Sequence, residues 1–295
     1  MKLRNIFLAL FSLIILYSCS KEESVNTENP DTENTNDKYF TFEYDNLTRK
    51  YRFYKPDNLP ANAPLVFVLH GYTQNADWSY NLGFNEIADT AGFAICYPQG
   101  SQDNNGITHW NARLSISNVN DIGFLSELAR FLQSKHDLDT NRTFTCGFSN
   151  GGFMSYTLAC EAHDVFMAIA PVSGVMSGYT WENREEAEPV PVLHIHGTDD
   201  ETVPIDGSMS TAGGWGGAPK VDSIISYWTT FNNCTTTDTA DISANTKAYY
   251  HRNEPGKNEV WYYKINNYGH QWPGEYEDNS GINANKLIWK FFRQY

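Results

Sequence analysis

The sequence predicts an α/β protein: one domain on a mostly parallel sheet, with helices on both faces and antiparallel strands at its N-terminal edge. Two observations carry this. Continuous apolar runs recur at PLVFVLHG (64–71), GFAICYP (92–98), TFTCGF (143–148), FMAIAPVSG (166–174) and PVLHIHG (191–197). Strands buried on both faces read this way, because neither side meets water. Helix-like segments alternate with these runs, as the crossovers of a parallel sheet require. No repeat and no linker divides residues 38–295, so they read as one domain.

The elements follow in order. MKLRNIFLALFSLIILYSCS has Lys2 and Arg4, an apolar run at 6–16 and then Cys19. A basic start and a short apolar core describe an export signal over 1–18. The run is shorter than the roughly 20 residues a spanning helix needs. A cysteine at its end resembles the acceptor of a bacterial lipobox, so Cys19 is the expected lipidation site. The expectation is an exported lipoprotein anchored to a bacterial membrane, on its periplasmic or cell-surface side. Residues 19–37 are acidic and nearly free of apolar side chains, a disordered tether.

Alternation in YFTFEY (39–44) and RKYRFYKP (49–56) predicts a hairpin around Asp45-Asn46. In 120–136 a helical face joins Ile122, Leu125, Leu128, Ala129 and Leu132, and Asp121 is the expected N-cap. NGGFMSYTLACEA (150–162) reads as a helix directly after the third central strand. Beyond the fifth come a helix at 221–233, a strand at 259–265 and a final helix at 282–292.

Composition narrows the function. A net charge of −14 excludes nucleic acid or an anionic membrane held through a basic face. Beyond Cys19 stand Cys96, Cys146, Cys160 and Cys234, with no Cys or His spacing suited to zinc, so no metal is expected. Export permits disulfides and leaves their pairing open, although Cys96 and Cys146 sit in apolar runs and read as buried thiols.

Gly147-Phe148-Ser149-Asn150-Gly151 fits G-x-S-x-G between a predicted strand and a predicted helix. There a sharp turn presents the serine oxygen above the sheet, and side chains on the flanking glycines would clash. An acid and a histidine are then required. HIHGTDDETVP (194–204) places Asp199 and Asp200 past a buried strand, and either could orient a histidine. His270 follows in YGHQWPG, giving the order Ser149, acid, His270 that α/β-hydrolases use. His194 and His196, inside the strand, read as packing or loop-orienting residues. An oxyanion site needs backbone amides aimed at the developing charge. Asn150 supplies one, and HGYTQN (70–75) supplies another from Tyr72, with Thr73 as the alternative. Trp110 and Trp272 lie in loops by the predicted site, where they either offer flat substrate-facing surfaces or pack the loops.

PLVFVLHGYTQ, HWNARL, NDIGFL, CGFSNGGFMSYTLAC, IAPVSG, HIHGTDDETVP and GHQWPG resemble the secreted esterases that include polyhydroxybutyrate depolymerases and feruloyl and acetylxylan esterases. The likeness runs from about Tyr51 to the C-terminus. It implies an α/β-hydrolase fold, no cofactor, and Asp200 as the acid, three residues after the glycine of HGT. It departs at Tyr72, where many relatives carry glycine or cysteine, and at His109, where relatives often carry a cysteine. A serine esterase acting through an acyl-enzyme is therefore expected, a monomer whose substrate is an ester of plant polysaccharide or its fragments. Polyhydroxybutyrate depolymerase is the alternative. An inactive carbohydrate-binding surface lipoprotein is the alternative from another class, and a serine peptidase is a further rival.

Overall fold

The computed structural model describes residues 39–184, 187–253, 257–274 and 278–295. The export signal, Cys19 and the acidic tether lie outside the described residues. The chain opens on a hairpin, Phe40–Tyr44 (β1) and Leu47–Tyr54 (β2). Asp45 and Asn46 between them have φ of 52° and 59°, as a two-residue turn matched to strand twist requires. The apolar runs follow as Ala63–Leu69 (β3), Ala94–Pro98 (β4), Leu138–Phe148 (β7), Ala168–Val172 (β8) and Val192–Gly197 (β9). Two short strands, Ser101–Gln102 (β5) and Thr108–His109 (β6), pair apart from the main sheet. Thr236–Asp241 (β10), Thr246–Arg252 (β11) and Val260–Ile265 (β12) complete it.

The main sheet has ten strands in the order β1-β2-β4-β3-β7-β8-β9-β12-β11-β10. The six central strands from β4 to β12 run parallel, and an antiparallel pair closes each edge. Successive side chains of β3 serve opposite faces: Leu65, Phe67 and Leu69 join one core, Val66 and Val68 the other. The first core is covered by Asp121–His136 (α3), Asn150–Glu161 (α4) and Val221–Phe231 (α6). The second is covered by Phe84–Ala91 (α2) and Ala284–Phe292 (α7). Ala76–Tyr80 (α1) and Gly178–Glu182 (α5) are short helices in the connections. All six parallel strands therefore direct their carboxyl ends to one rim, where open α/β sheets gather their ligands.

Two expectations are corrected or extended. The cap of α3 is Asn120, whose side chain accepts from the Gly123 amide at 3.0 Å. Asp121 is instead the first helical residue and is buried. Arg49 donates to its Oδ1 at 2.7 Å and the Asn111 amide to its Oδ2 at 2.7 Å. The guanidinium also lies 3.8 Å over the Phe124 ring. The edge hairpin β10–β11 has no counterpart in the sequence reading. β10 is TTDTAD, exposed along nearly its whole length, so it carries no apolar pattern. The four cysteines among the described residues are free thiols. Cys96, Cys146 and Cys160 are buried, and burial raises each thiol's pKa.

A buried ion pair costs most when half of it is removed. Asp121→Ala is expected to lower the unfolding free energy by about 3 kcal/mol, read from the urea midpoint. Arg49→Met combined with Asp121→Leu is expected to regain most of that loss.

Candidate active site

The position of Ser149, the candidate nucleophile, comes from backbone crowding. Ser149 sits between β7 and α4 with φ 52° and ψ −117°, a conformation that costs on the order of 1–3 kcal/mol for a non-glycine residue. Its amide donates to the Val172 carbonyl at 2.9 Å, and its own carbonyl accepts from Gly152 and Phe153 at 2.8 and 3.0 Å. A β-carbon on Gly147 would stand 2.4 Å from the Gly151 carbonyl carbon. One on Gly151 would stand 2.4 Å from the Leu69 oxygen, and one on Gly174 2.5 Å from the Ser149 oxygen. The glycines are thus fixed by sterics, as the G-x-S-x-G reading requires. Asn150 opens α4, so its amide has no intrahelical acceptor and adds to the positive helix end.

The two carboxylates after β9 have opposite surroundings. Asp199 is exposed and accepts from the Thr198 hydroxyl at 2.9 Å. Asp200 is buried, and its Oδ1 accepts from the amides of Thr202 and Val203 at 3.0 and 2.7 Å. His270 Nδ1 donates to its Oδ2 at 2.7 Å. Burial alone would raise this carboxyl, but bonds from His196, His270 and the Val203 amide outweigh it and hold the group well below the usual carboxylate range. With Nδ1 committed to Asp200, the neutral His270 ring has Nε2 left as its acceptor. That ring packs at 4.7 Å on Phe148, the residue preceding Ser149. Glycine is required at 197, where a β-carbon would meet the Tyr268 oxygen at 2.0 Å, because the histidine loop crosses the end of β9 there.

The loop after β3 offers the candidate for a second amide. Thr73 N–H is spent on the Thr108 carbonyl at 3.0 Å and Gly71 N–H on the Gln74 side chain at 2.7 Å, which leaves Tyr72 as the candidate donor. The Tyr72 hydroxyl donates to Asp103 at 2.8 Å. His70 braces this loop from below. It accepts from the Gly100 amide at Nε2 (2.9 Å) and so donates from Nδ1 to the Gly71 carbonyl (2.8 Å). Full burial lowers its pKa from 6.5 to about 4, so the ring is neutral.

Both tryptophans singled out from sequence are buried, so neither offers an open face to a substrate. Trp110 is a brace: its indole donates to the His70 carbonyl at 2.9 Å. Its backbone N–H and C=O pair with the Asn150 side chain at 2.6 and 3.0 Å. Trp272 donates to Asn285 at 2.8 Å and meets Trp78, Phe84 and Phe148 edge-on. The half-buried rings near the site are others. Trp215 meets Tyr72 edge-on at 5.1 Å, and Trp78 lies 5.4 Å from Phe148. Trp215 stands alone inside GGWGG, a large ring among four glycines, and that was its only sequence signal.

Residues 50–221 match the family model described as Esterase PHB depolymerase. A bifunctional acetylxylan esterase/xylanase from Neocallimastix patriciarum is 30% identical over 156 residues, covering 52% of this chain and 22% of its own length. A protein named "Probable feruloyl esterase C" from Aspergillus flavus is 30% identical over 206 residues, covering 63% of this chain and 71% of its own. The solved acetyl xylan esterase from Aspergillus awamori superposes with a TM-score of 0.63 at 16% identity, over 84% of this chain and 94% of that one. The fold is that of the α/β-hydrolases, with a mostly parallel sheet and antiparallel strands at its start.

The depressed histidines give a pH prediction with a definite sign. The unfolded chain takes up a proton near 6.5, whereas folded His70 resists until about 4, so acidification across that interval favours unfolding. His194, also depressed by burial, acts in the same direction. The depression of Asp200 matters only below the ordinary carboxylate range. Melting temperature is expected to fall between pH 7 and pH 4.5, with a shallower slope in His70→Gln; an unchanged slope would remove His70 from the account.

Proposed function

The chain belongs to the Esterase PHB depolymerase family, and on that premise we propose that it is a serine carboxylic-ester hydrolase working through an acyl-enzyme. The observation that carries this is the 2.7 Å bond from His270 Nδ1 to a buried Asp200, with the His270 ring packed on Phe148, the residue before a strained Ser149. Ser149 Oγ attacks the ester carbonyl while its proton passes to His270 Nε2. The tetrahedral oxyanion takes the amides of Asn150 and Tyr72. The C–O bond then breaks, and His270 returns the proton to the leaving alcohol. Water, deprotonated by His270, attacks the acyl group, and Ser149 leaves with that proton as the acid departs. Asp200 keeps Nδ1 protonated and stabilises the imidazolium.

The substrate we propose is a feruloyl or acetyl ester of plant polysaccharide or its fragments. The names of the two curated relatives support this choice, as do the half-buried Trp215 and Tyr72 rings beside the oxyanion loop. The enzyme is proposed to act as a monomer, exported and held to a membrane through Cys19. The residues of the sequence signal carry that part of the proposal.

Ser149→Ala is expected to reduce turnover of p-nitrophenyl acetate by about 10³ or more; equal rates would leave a binding protein on a hydrolase fold. Asp200→Asn is expected to lose far more activity than Asp199→Asn. Among methyl ferulate, acetylated xylan and hydroxybutyrate oligomers, the first two are expected to turn over fastest, and preference for the oligomers would make the protein a polyester depolymerase. Trp215→Ala is expected to raise KM for methyl ferulate about 5- to 10-fold with kcat on p-nitrophenyl acetate retained, the worth of one aromatic contact.

A further inference from the structure

The hydrogen bonds behind Asp200 continue through three more buried side chains. Strand periodicity puts His194 and His196 of β9 on the same face, their rings 5.2 Å apart and nearly parallel. His196 Nε2 lies 2.9 Å from the Val203 carbonyl and 3.2 Å from Asp200 Oδ2. Both of these are acceptors, so Nε2 carries a hydrogen. His196 Nδ1 is 3.1 Å from His194 Nε2, and His194 Nδ1 is 2.9 Å from the Tyr156 hydroxyl of α4.

These distances have one assignment that pairs every atom. With His196 neutral, its Nδ1 accepts from His194 Nε2–H, and His194 Nδ1 accepts from the Tyr156 hydroxyl. A second proton on His196 would reverse each bond. Tyr156 would then accept, and its own hydrogen would have no partner among the described residues. That state would also bury a cation, with both histidine rings at most 1% exposed.

We propose that Tyr156, His194 and His196 form a directional hydrogen-bond chain whose last N–H positions the Asp200 carboxylate for His270. The chain touches no reacting atom; it acts through Asp200, and its role in turnover rests on the Ser149–Asp200–His270 reading. Two backbone amides hold Oδ1 and two imidazoles share Oδ2, so the carboxylate has no free rotation. Its charge is divided among four donors, which tempers its pull on the His270 proton. The titratable groups facing it among the described residues include Cys160 of α4 near Tyr156, His270 from its loop, and Tyr262 of β12, whose ring lies 5.5 Å from His194.

The direction of the chain is testable in the wild-type protein without any assay. Long-range ¹H–¹⁵N NMR at pH 7 is expected to show both His194 and His196 as Nε2–H tautomers. An Nδ1–H on either ring overturns the proposal. On p-nitrophenyl acetate, His196→Phe is expected to lower kcat about 10- to 100-fold with KM unchanged. His196→Gln, which returns an amide N–H near the same place, is expected to recover most of it. The acid limb of kcat/KM in His196→Phe is expected to move to higher pH, because Asp200 with one donor fewer stabilises the imidazolium more strongly. Tyr156→Phe removes a single oxygen and is expected to show a smaller change of the same sign; it decides the question if His196→Phe does not fold. Wild-type kcat and pH profile in both folded variants would overturn the chain's role. A fully active Ser149→Ala would instead sink the reading of the site, while the NMR result would still judge the chain.

Discussion

The close approach of backbones at residues 147, 151 and 174 is the constraint on which the rest of the site depends. No β-carbon fits at any of the three, because Leu69, Gly151 and Ser149 backbone atoms already fill those places. Contact between main chains fixes positions more tightly than contact through rotatable side chains. The end of β3, the start of α4 and the turn after β8 are thereby set against one another. Ser149 keeps its unfavourable φ because the Val172 carbonyl holds its amide and two helix amides hold its carbonyl. The amides of Asn150 and Tyr72, the proposed oxyanion donors, lie on the two segments that this crowding sets together.

Beneath this rim lies a layer of buried imidazoles, one under each half of the site. His70 ties the oxyanion loop to Gly100, while His196 ties the acid loop to Val203 and Asp200. An imidazole suits the task because a neutral ring is both donor and acceptor at fixed separation. Each ring has partners at both nitrogens, so burial does not leave a polar group unpaired. Trp110 then joins the loop after β3 to the start of α4, with its indole on the His70 carbonyl and its backbone on the Asn150 side chain.

What was legible in the sequence follows from where each residue sits. Strands buried on both faces announce themselves as apolar runs, so β3, β4, β7, β8 and β9 were readable. β10 faces solvent at an edge, and its TTDTAD carries no such pattern. The order of Ser149, an acid and His270 was readable, whereas the preference for Asp200 needed the family likeness; the structure surrounds Asp200, and not Asp199, with two amides and two imidazoles. Asn120 and Asp121 are both good caps, and only the pull of buried Arg49 assigns them. Trp110 and Trp272 read as site residues because loops are usually exposed. Their indole N–H groups point to Asn285 and the His70 carbonyl, partners that no spacing reveals.

Substrate choice belongs to a different kind of structure from the chemistry. Trp215 rides on a segment where Gly207, Gly213, Gly214, Gly216 and Gly217 all take positive φ. Gly214 accepts from the Ser115 amide at 2.9 Å and Gly217 from the Gly178 amide at 3.0 Å, while Met209 and Trp215 pack against the first core. A β-carbon on Gly216 would meet nothing within 4 Å, in contrast to the crowding around Ser149. That room is local, since β-carbons on Gly207 and Gly214 would meet Lys220 and Ile116 at 2.9 and 2.8 Å; recognition in α/β folds nonetheless resides in loops of this sort. The chemistry of the site is therefore held by constraints that leave little freedom at each residue. The Trp215 ring meets Tyr72 and Phe153 edge-on, and on the proposed reading of the site that is where specificity can change while the reaction stays the same.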